Sequence, residues 1–300
     1  MRLCDYYEGN YRTYFAYLAP GTVQGYEGDW RNHIAEAFGA WEMEAIRVRH
    51  INAWLASDHF AGVPGAARSA YKTLRQILRS AMGDELYSDD VVDPTTRGVR
   101  LPPMEPPAEG PYLRPAEARA LLLGLVGWEY EQTALCGLWL GLRRSEQCGL
   151  QWGDIDLRTG IVHIRRGLQV VDREVVVTRV KTHRSRRPHM LPRSGVERMR
   201  EIKRDLRPRP EDWLLGEDPN PDRYARSLRS WCQKNNLPYV APNYFRHSFR
   251  TLHDIAGTDG SEVQKMLGHE TLGMSYRYMT LDEDVLREDQ RRLERLVLRG

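Results

Sequence analysis

Apolar residues recur every three or four positions through much of the chain, and this period predicts a mainly helical protein. Three segments within the first 95 residues show it clearly. They run from Val23 to Ile34 with Thr22 as the N-cap, from Val48 to Leu55, and from Ala70 to Ala81. In the third segment the apolar positions form one stripe along a helix. The N-terminal part of the chain is therefore expected to be an all-α domain.

Strands enter the pattern only in the second half of the chain. Pro115 marks a predicted helix start, and an apolar helix is predicted from Thr133 to Trp139. Three strands are predicted, at Ile161 to Ile164, Glu174 to Val180 and His189 to Leu191, with the last two joined by a basic turn from Thr182 to Pro188. Helices follow after Ser194. This order predicts an α+β domain in which helices surround a small antiparallel three-stranded sheet.

A proline-rich stretch separates these two parts of the chain. Between Asp93 and Pro115 there are seven prolines and two glycines, a density that excludes a helix or a central strand. We therefore predict an extended linker at 96–112, between a helical domain at 1–95 and a second domain at 113–300.

The net charge of +3 conceals an uneven distribution of basic residues. The segment from Arg165 to Arg209 has fifteen Lys or Arg residues against five Asp or Glu. Only five of the 44 basic residues in the chain are lysines, and the planar arginine fork can contact two phosphate oxygens at once. Basic runs are usually just solvated surface, but a block this polarised favours a polyanionic partner.

The composition excludes several other classes of protein. With 41% hydrophobic and 28% charged residues, the chain has the balance of a soluble globular protein. It has neither an apolar run that could cross a membrane nor a signal peptide at Met1, so the cytoplasm is the expected location. The four cysteines show no metal-ligand spacing, and no metal site is expected.

Three short phrases carry residues suited to phosphodiester chemistry. They are Gly141-Leu142-Arg143-Arg144-Ser145-Glu146, Phe245-Arg246-His247 and Leu267-Gly268-His269, with Tyr278 nine residues after that histidine. Arginines can bind the oxygens of a phosphate as negative charge grows on them, and a tyrosine phenol can attack the phosphorus. In this order the phrases resemble the tyrosine recombinase (phage integrase) family.

The resemblance implies a role for each of these side chains. Tyr278 would be the nucleophile, with Tyr276 as a competitor that the nine-residue spacing disfavours. Arg143 and Arg246 would bind the non-bridging oxygens of the phosphate, and His269 would donate a further hydrogen bond to it. Neither a metal ion nor a cofactor is implied.

Three further residues complete or complicate this assignment. Glu146 would orient the Arg143 guanidinium, and Lys181, at the family's hairpin position, would protonate the departing 5′-oxygen. The family usually has a histidine where this chain has Asn243, and an amide cannot accept the tyrosine's proton at neutral pH. We therefore expect Asn243 to position the phosphate while water or another group takes the proton.

The resemblance also implies double-stranded DNA with attachment-type core sites as the substrate. The helical first domain would bind the core site, in a compact form of the family with no arm-binding domain before it. The expected DNA contacts lie on the third predicted helix and in the basic turn: Arg68, Lys72, Arg75, Arg79, Arg184, Arg186 and Arg187. An amphipathic helix at about 282–298 would pack on a neighbouring protomer and link a homotetramer, with a host DNA-bending factor or an excisionase as a further partner.

Together these observations predict a site-specific recombinase that cleaves and rejoins DNA through a 3′-phosphotyrosyl intermediate and a Holliday junction, and that integrates a phage or mobile element. The residues alone leave two alternatives open. A type IB topoisomerase uses similar chemistry, although it gives no reason for the Leu267–His269 phrase or the C-terminal helix. A non-catalytic DNA-binding protein with a decayed active site would explain Asn243.

Overall fold

The computed structural model of the protein describes residues 1–88, 90–104, 110–179, 188–267 and 283–299. These residues are mostly helical with a small amount of antiparallel sheet, as the periodicity predicts. The chain divides into two compact units, Met1–Ala108 and Glu109–Gly300, each with its own apolar core. The division falls within the range 96–112 of the predicted linker. No helix in the described part of the chain is long and apolar enough to cross a membrane.

The described residues of the first unit form five α-helices. They are α1 (Leu3–Gly9), α2 (Pro20–Asp29), α3 (Ala35–Phe38), α4 (Val48–Leu55) and α5 (Pro64–Gly83), with a π-helical turn at Trp30–Ile34 between α2 and α3. The apolar stripe of α5 is buried, and Tyr7 stacks on Trp30 with ring centroids 3.9 Å apart. Thr22 is not the N-cap of its helix as predicted, because Pro20 with its fixed φ already starts α2 two residues earlier.

The first half of the proline-rich stretch forms hydrogen bonds and an ion pair with this unit, and the linker at 96–112 stays a prediction. The carbonyl of Pro102 accepts a hydrogen bond from Arg68 Nε at 3.0 Å, and Asp93 forms an ion pair with Arg79 at 3.1 Å. Prolines exclude regular structure but leave carbonyl groups that can accept hydrogen bonds from α5. Arg68 and Arg79, two of the four DNA contacts predicted on this helix, therefore have partners within the first unit, while Lys72 is exposed.

In the second unit the described residues form eight α-helices. They are α6 (Pro115–Gly124), α7 (Glu131–Leu140), α8 (Arg144–Cys148), α9 (Arg193–Leu206), α10 (Pro221–Lys234), α11 (Phe245–Ile255), α12 (Gly260–Leu267) and α13 (Glu283–Arg299). Every residue of α7 is buried, because a helix that is apolar on most sides has to be covered on all of them. Helices α8, α9 and α11 pack against α7, which places it at the centre of the unit.

The strands form two small sheets, which differs from the single sheet predicted. β1 (Ile155–Asp156), β2 (Ile161–His163) and β5 (Pro188–Met190) form an antiparallel three-stranded sheet, and β3 (Arg166–Val171) pairs with β4 (Glu174–Arg179) in a separate antiparallel hairpin. The partner of β4 thus precedes it in the chain and is a strand that the pattern did not predict. Asp172 and Arg173, both with positive φ, close this hairpin without the glycine that usually signals such a turn.

The C-terminal helix α13 packs on the unit that carries it. Leu286, Leu293 and Val297 are buried, and Glu294 accepts a hydrogen bond at 2.7 Å from the backbone N–H of Ser194 at the start of α9. A carboxylate at this end of a helix is stabilised by the helix dipole. The exchange of this helix between protomers stays a prediction.

Candidate active site

The first arginine of the predicted site follows a tight turn between α7 and α8. Gly141 follows the last residue of α7 with a left-handed φ of 61°, and a Cβ there would lie 2.6 Å from the ring of Phe249. Glycine alone fits both the dihedral angle and the space. The turn leaves Arg143 as the N-cap residue of α8, with an extended backbone and a side chain that is 47% exposed.

Glu146 holds Arg143 with both of its carboxylate oxygens. Oε2 accepts from the backbone N–H of Arg143 at 2.9 Å, and Oε1 accepts from Nη1 of its guanidinium at 2.8 Å. The spacing predicts a contact between two helical residues, whereas Arg143 precedes the helix and Glu146 lies in its first turn. The carboxylate, which is only 7% exposed, therefore caps the helix and fixes the arginine side chain at the same time.

Arg246 approaches the same turn from α11. Its Nη1 donates to the carbonyl of Gly141 at 3.0 Å, and its Nη2 donates to the carbonyl of Leu267. These bonds connect the first turn of α11 to the end of α7 and to the end of α12. They use two of the five N–H groups that a guanidinium carries.

Arg143, Glu146 and Arg246 form what we call the arginine cluster. The pKa of Arg246 is lowered to about 10, first by burial and then by the charge of Arg143, while Glu146 opposes the shift. Arg246 therefore remains protonated at neutral pH. With two positive charges and one negative charge, the cluster has a net positive charge that can bind an anion.

A buried amide connects the two chain segments that carry the predicted site residues. Gln147 Nε2 donates to the carbonyls of Leu142 at 2.8 Å and Pro242 at 3.0 Å, and its Oε1 accepts from a buried tyrosine hydroxyl at 3.2 Å. These carbonyls belong to the residues directly before Arg143 and Asn243. The amide thus sets the separation of the two segments, and all of its bonds are made in the interior.

Asn243 stands at an exposed edge of the second unit. It lies in the single 3-10 turn Pro242–Tyr244, which leads directly into α11. Arg246 follows three residues later in the first turn of that helix. His247 is also exposed, and its ring lies against that of Tyr244 with centroids 5.5 Å apart.

The other predicted site residues lie outside the described part of the chain. They are Lys181, His269, Tyr278, its competitor Tyr276, and the basic residues Arg184, Arg186 and Arg187. The described chain leads toward them at two places, the end of β4 and the end of α12. Among the side chains that the structure describes, no three His, Cys, Asp or Glu residues converge on a point that could hold a metal ion.

Sequence reasoning missed two buried polar residues in this region. Gln147 and Asp154 both follow closely after the phrase Gly141–Glu146, but the spacing of the phrase does not reveal which polar residues near it are buried. Their neighbours in the sequence could have indicated that they are buried. Each follows or precedes apolar residues closely, and a polar side chain in such a context needs internal hydrogen-bond partners.

The fold is shared with integrases of known structure. The Tn1549 transposon integrase in complex with transposon right end DNA matches with a TM-score of 0.71 and 19% identity, covering 98% of this chain and 99% of that one. A λ integrase fragment, a dimer bound to a COC′ core site, matches with a TM-score of 0.61 and 13% identity, covering 93% of this chain and 98% of that one. At these identities the likeness is one of fold.

Sequence relatives give the family. The integrase of Mycobacterium phage D29 is 28% identical over 283 residues, which are 90% of this chain and 74% of the phage protein. Tyrosine recombinase XerA of Pyrococcus furiosus is 30% identical over 165 residues, which are 52% of this chain and 53% of that protein. The sequence model of the phage integrase family matches residues 131–284, more than half of the chain. The protein is a tyrosine-type site-specific recombinase, and the chain belongs to the phage integrase family.

Replacing Gln147 with leucine should destabilise the second unit. The variant removes the amide that donates to the carbonyls of Leu142 and Pro242, and it leaves the Tyr224 hydroxyl without its acceptor, at an expected cost of about 3 kcal/mol in the free energy of unfolding. Urea unfolding followed by tryptophan fluorescence measures this cost. Gln233→Leu makes the same chemical change at an exposed position of α10 and should stay within about 0.5 kcal/mol of the wild type. Equal unfolding free energies for the two variants would contradict the role given to the buried amide.

Proposed function

We propose that the protein integrates a phage or mobile genetic element by exchanging DNA strands at specific core sites. The observation that carries this proposal is the arginine cluster, in which two guanidinium groups and one carboxylate meet at the turn before α8. Two fixed cations beside each other repel, so the cluster is suited to a site where an anion binds between them. A phosphate of the DNA backbone has the charge and the geometry that arginine forks bind.

In the proposed reaction Tyr278 attacks a phosphate of the core site. Its oxygen bonds to phosphorus as the bond from phosphorus to the 5′-oxygen breaks, which gives a 3′-phosphotyrosyl ester and a 5′-hydroxyl. Arg143 and Arg246 bind the non-bridging oxygens, where negative charge grows, and His269 donates a further hydrogen bond to the phosphate. Lys181 gives its proton to the departing 5′-oxygen.

The second step reverses the first on a different duplex. The 5′-hydroxyl of one strand attacks the phosphotyrosine of its partner, returns a proton to the neutral lysine and releases the tyrosine. Because the energy of the phosphodiester bond is conserved in the protein–DNA ester, the exchange requires no ATP. Two such rounds, separated by a four-way Holliday junction, recombine two duplexes.

Asn243 changes how the proton of the nucleophile leaves. In our proposal its amide donates a hydrogen bond to the phosphate, and water or another group in the DNA-bound site accepts the proton of Tyr278. An amide nitrogen has no basic lone pair, so this side chain cannot act as the base. Its exposed position, three residues before Arg246, suits a group that meets DNA rather than the protein core.

DNA binding is assigned to positively charged residues in both units. Lys72 is exposed on α5 and Arg75 is half-buried, whereas Arg68 and Arg79 contact the segment at 93–102. The Arg79 side chain is still 47% exposed, and an ion pair of this kind is weak enough for a DNA phosphate to compete with it. In the second unit the basic turn contributes Arg184, Arg186 and Arg187.

We infer that four protomers act together and that α13 links them. On its own unit the helix buries Leu286, Leu293 and Val297, an apolar face that would fit the same surface of a second copy equally well. The chain between α12 and α13 comprises residues 268–282, and a segment of this length can span up to about 50 Å. A host DNA-bending factor or an excisionase would control the direction of the reaction.

Covalent capture of DNA tests the proposed reaction. A pool of nicked duplexes with randomised sequence is incubated with the protein, and the strands that become attached to it are recovered and sequenced. The nick lets a short fragment diffuse away after cleavage, which traps the 3′-phosphotyrosyl complex. We expect the wild-type protein to select one core-site sequence. Attachment of no duplex at all would contradict the proposed function.

The nucleophile is identified by two matched variants in the same assay. Tyr278→Phe is expected to bind the selected core site without forming an adduct, because phenylalanine lacks the attacking oxygen. Tyr276→Phe is the control and should still form the adduct. If Tyr278→Phe becomes attached to DNA, another residue is the nucleophile.

The Asn243→His variant should alter the pH dependence of cleavage. An imidazole with a pKa near 6.5 can accept the phenol proton, so single-turnover cleavage should become at least about tenfold faster above that pH and fall as the imidazole is protonated. Asn243→Gln keeps the amide, provides no base and should retain the wild-type pH profile. Identical profiles for Asn243→His and the wild type would show that this position does not govern proton transfer.

A further inference from the structure

A buried carboxylate outside the arginine cluster holds the start of the β3–β4 hairpin. Asp154 is 1% exposed, and its two oxygens accept from Arg166 Nη1 at 2.7 Å and Nη2 at 3.3 Å. Arg165 adds a second ion pair at 3.2 Å, and the backbone N–H of Gln151 donates to the same carboxylate at 2.9 Å. One buried anion thus connects the segment before β1 with the first residue of β3.

The start of β3 lies directly against α8. A Cβ on Gly149, the residue after α8, would lie 2.5 Å from the carbonyl oxygen of Arg166 and 2.6 Å from the Cα of Gly167. A Cβ on Gly167 would in turn lie 3.2 Å from the carbonyl oxygen of Ser145. The hairpin backbone therefore touches the helix backbone with no side chain between them. α8 is the helix whose first turn carries the carboxylate of the arginine cluster.

The pairing of β3 with β4 also fixes the position of β4, the strand that leads to Lys181. Arg166 pairs with Arg179, and Gly167 pairs with Thr178, whose hydroxyl also donates to the carbonyl of Gly167 at 3.2 Å. The end of β4 is therefore fixed beside the arginine that the buried carboxylate holds. Lys181 follows two residues later, and two residues of chain span at most about 7 Å.

We propose that Asp154 is a positioning residue for proton transfer: by holding Arg166 against α8, it fixes the hairpin that brings Lys181 to the departing 5′-oxygen. This inference rests on the proposed function, in which Lys181 is the general acid. A buried ion pair contributes little net stability, because the cost of removing both charges from water offsets most of their attraction. A bidentate pair of arginine and carboxylate does fix both distance and orientation, which is what a positioning role requires.

The contribution of the general acid can be isolated by changing the leaving atom. When the 5′-oxygen departs it must receive a proton, because an alkoxide is a poor leaving group. When sulfur replaces that oxygen, the departing thiolate needs no proton, since a thiol has a pKa of about 8.5. Loss of the general acid therefore slows cleavage of the oxygen substrate alone, whereas damage to the arginine cluster slows cleavage of both substrates.

The test is single-turnover cleavage of two nicked core-site duplexes, selected by covalent capture, that differ only in this atom. We expect Asp154→Asn to lose at least about tenfold on the oxygen substrate and to stay within about threefold of the wild type on the sulfur substrate. Arg166→Lys keeps the charge but not the fork, and it should behave in the same way. Lys181→Ala is the reference, with an expected loss of about 100-fold on oxygen that sulfur restores.

Glu131→Gln is the matched control for the loss of a buried ion pair. Glu131 is 2% exposed and accepts from Arg198 Nε at 2.5 Å and Nη2 at 2.8 Å, and from the backbone N–H of Gly127 at 2.9 Å. Its partners match those of Asp154 in kind, but it joins α7 to α9, and the hydrogen bonds described for it go to Arg198 and Gly127 rather than to the hairpin. Any loss in this variant should be equal on the two substrates.

The ratio of the two rates separates the outcomes, since a smaller folded fraction lowers both rates together. An Asp154→Asn variant that is slowed equally on oxygen and sulfur, or on neither, overturns the positioning role. If sulfur restores Lys181→Ala but not Asp154→Asn, the proposed general acid stands and the inference alone is wrong. If sulfur does not restore Lys181→Ala, the general-acid assignment fails and the positioning role fails with it.

Discussion

The rest of the site depends on holding two positive charges side by side. Repulsion between unit charges near a protein surface is on the order of a few kcal/mol, and it contributes here to the lowered pKa of Arg246 beside Arg143. Three groups offset it: the carboxylate of Glu146 and the carbonyls of Gly141 and Leu267. They come from α8, the end of α7 and the end of α12, so separate elements must meet to make the site. Because the two guanidinium groups are already held in place, they can stabilise the negative charge that develops on a phosphate without further rearrangement.

This requirement accounts for the close packing around the turn between α7 and α8. Arg246 reaches the carbonyl of Gly141 because α11 lies directly on the turn, where the Phe249 ring occupies the space that a larger residue at 141 would need. Gln147 fixes the same turn from its buried side by bonding to the segment before α11. The turn itself begins at α7, which is buried along its whole length. Buried contacts thus hold the arginines where the site needs them.

Local sequence patterns predict the helices of this structure better than they predict its long-range contacts. The apolar pattern predicts helices α4, α5 and α7, and Pro115 predicts the start of α6. A spacing of three predicts the contact between Arg143 and Glu146, although not that the arginine is an N-cap. The bond from Arg246 to Gly141 spans 105 positions, and that from Gln147 to the segment before α11 spans 95. Such bonds depend on how the helices pack against each other, and the spacing of apolar residues along the chain does not predict this packing. The β3–β4 hairpin escapes prediction because its turn lacks glycine.

In the proposed reaction Arg143 and Arg246 act on one phosphate as a single unit. A double-mutant cycle on single-turnover cleavage of the core site tests it most directly. Arg143→Ala and Arg246→Ala should each slow cleavage by at least about 100-fold. The double variant should be little slower than the slower single variant, because the loss of either arginine already disables the arginine cluster. Losses that multiply in the double variant would show that the two arginines act independently, and they would contradict this account.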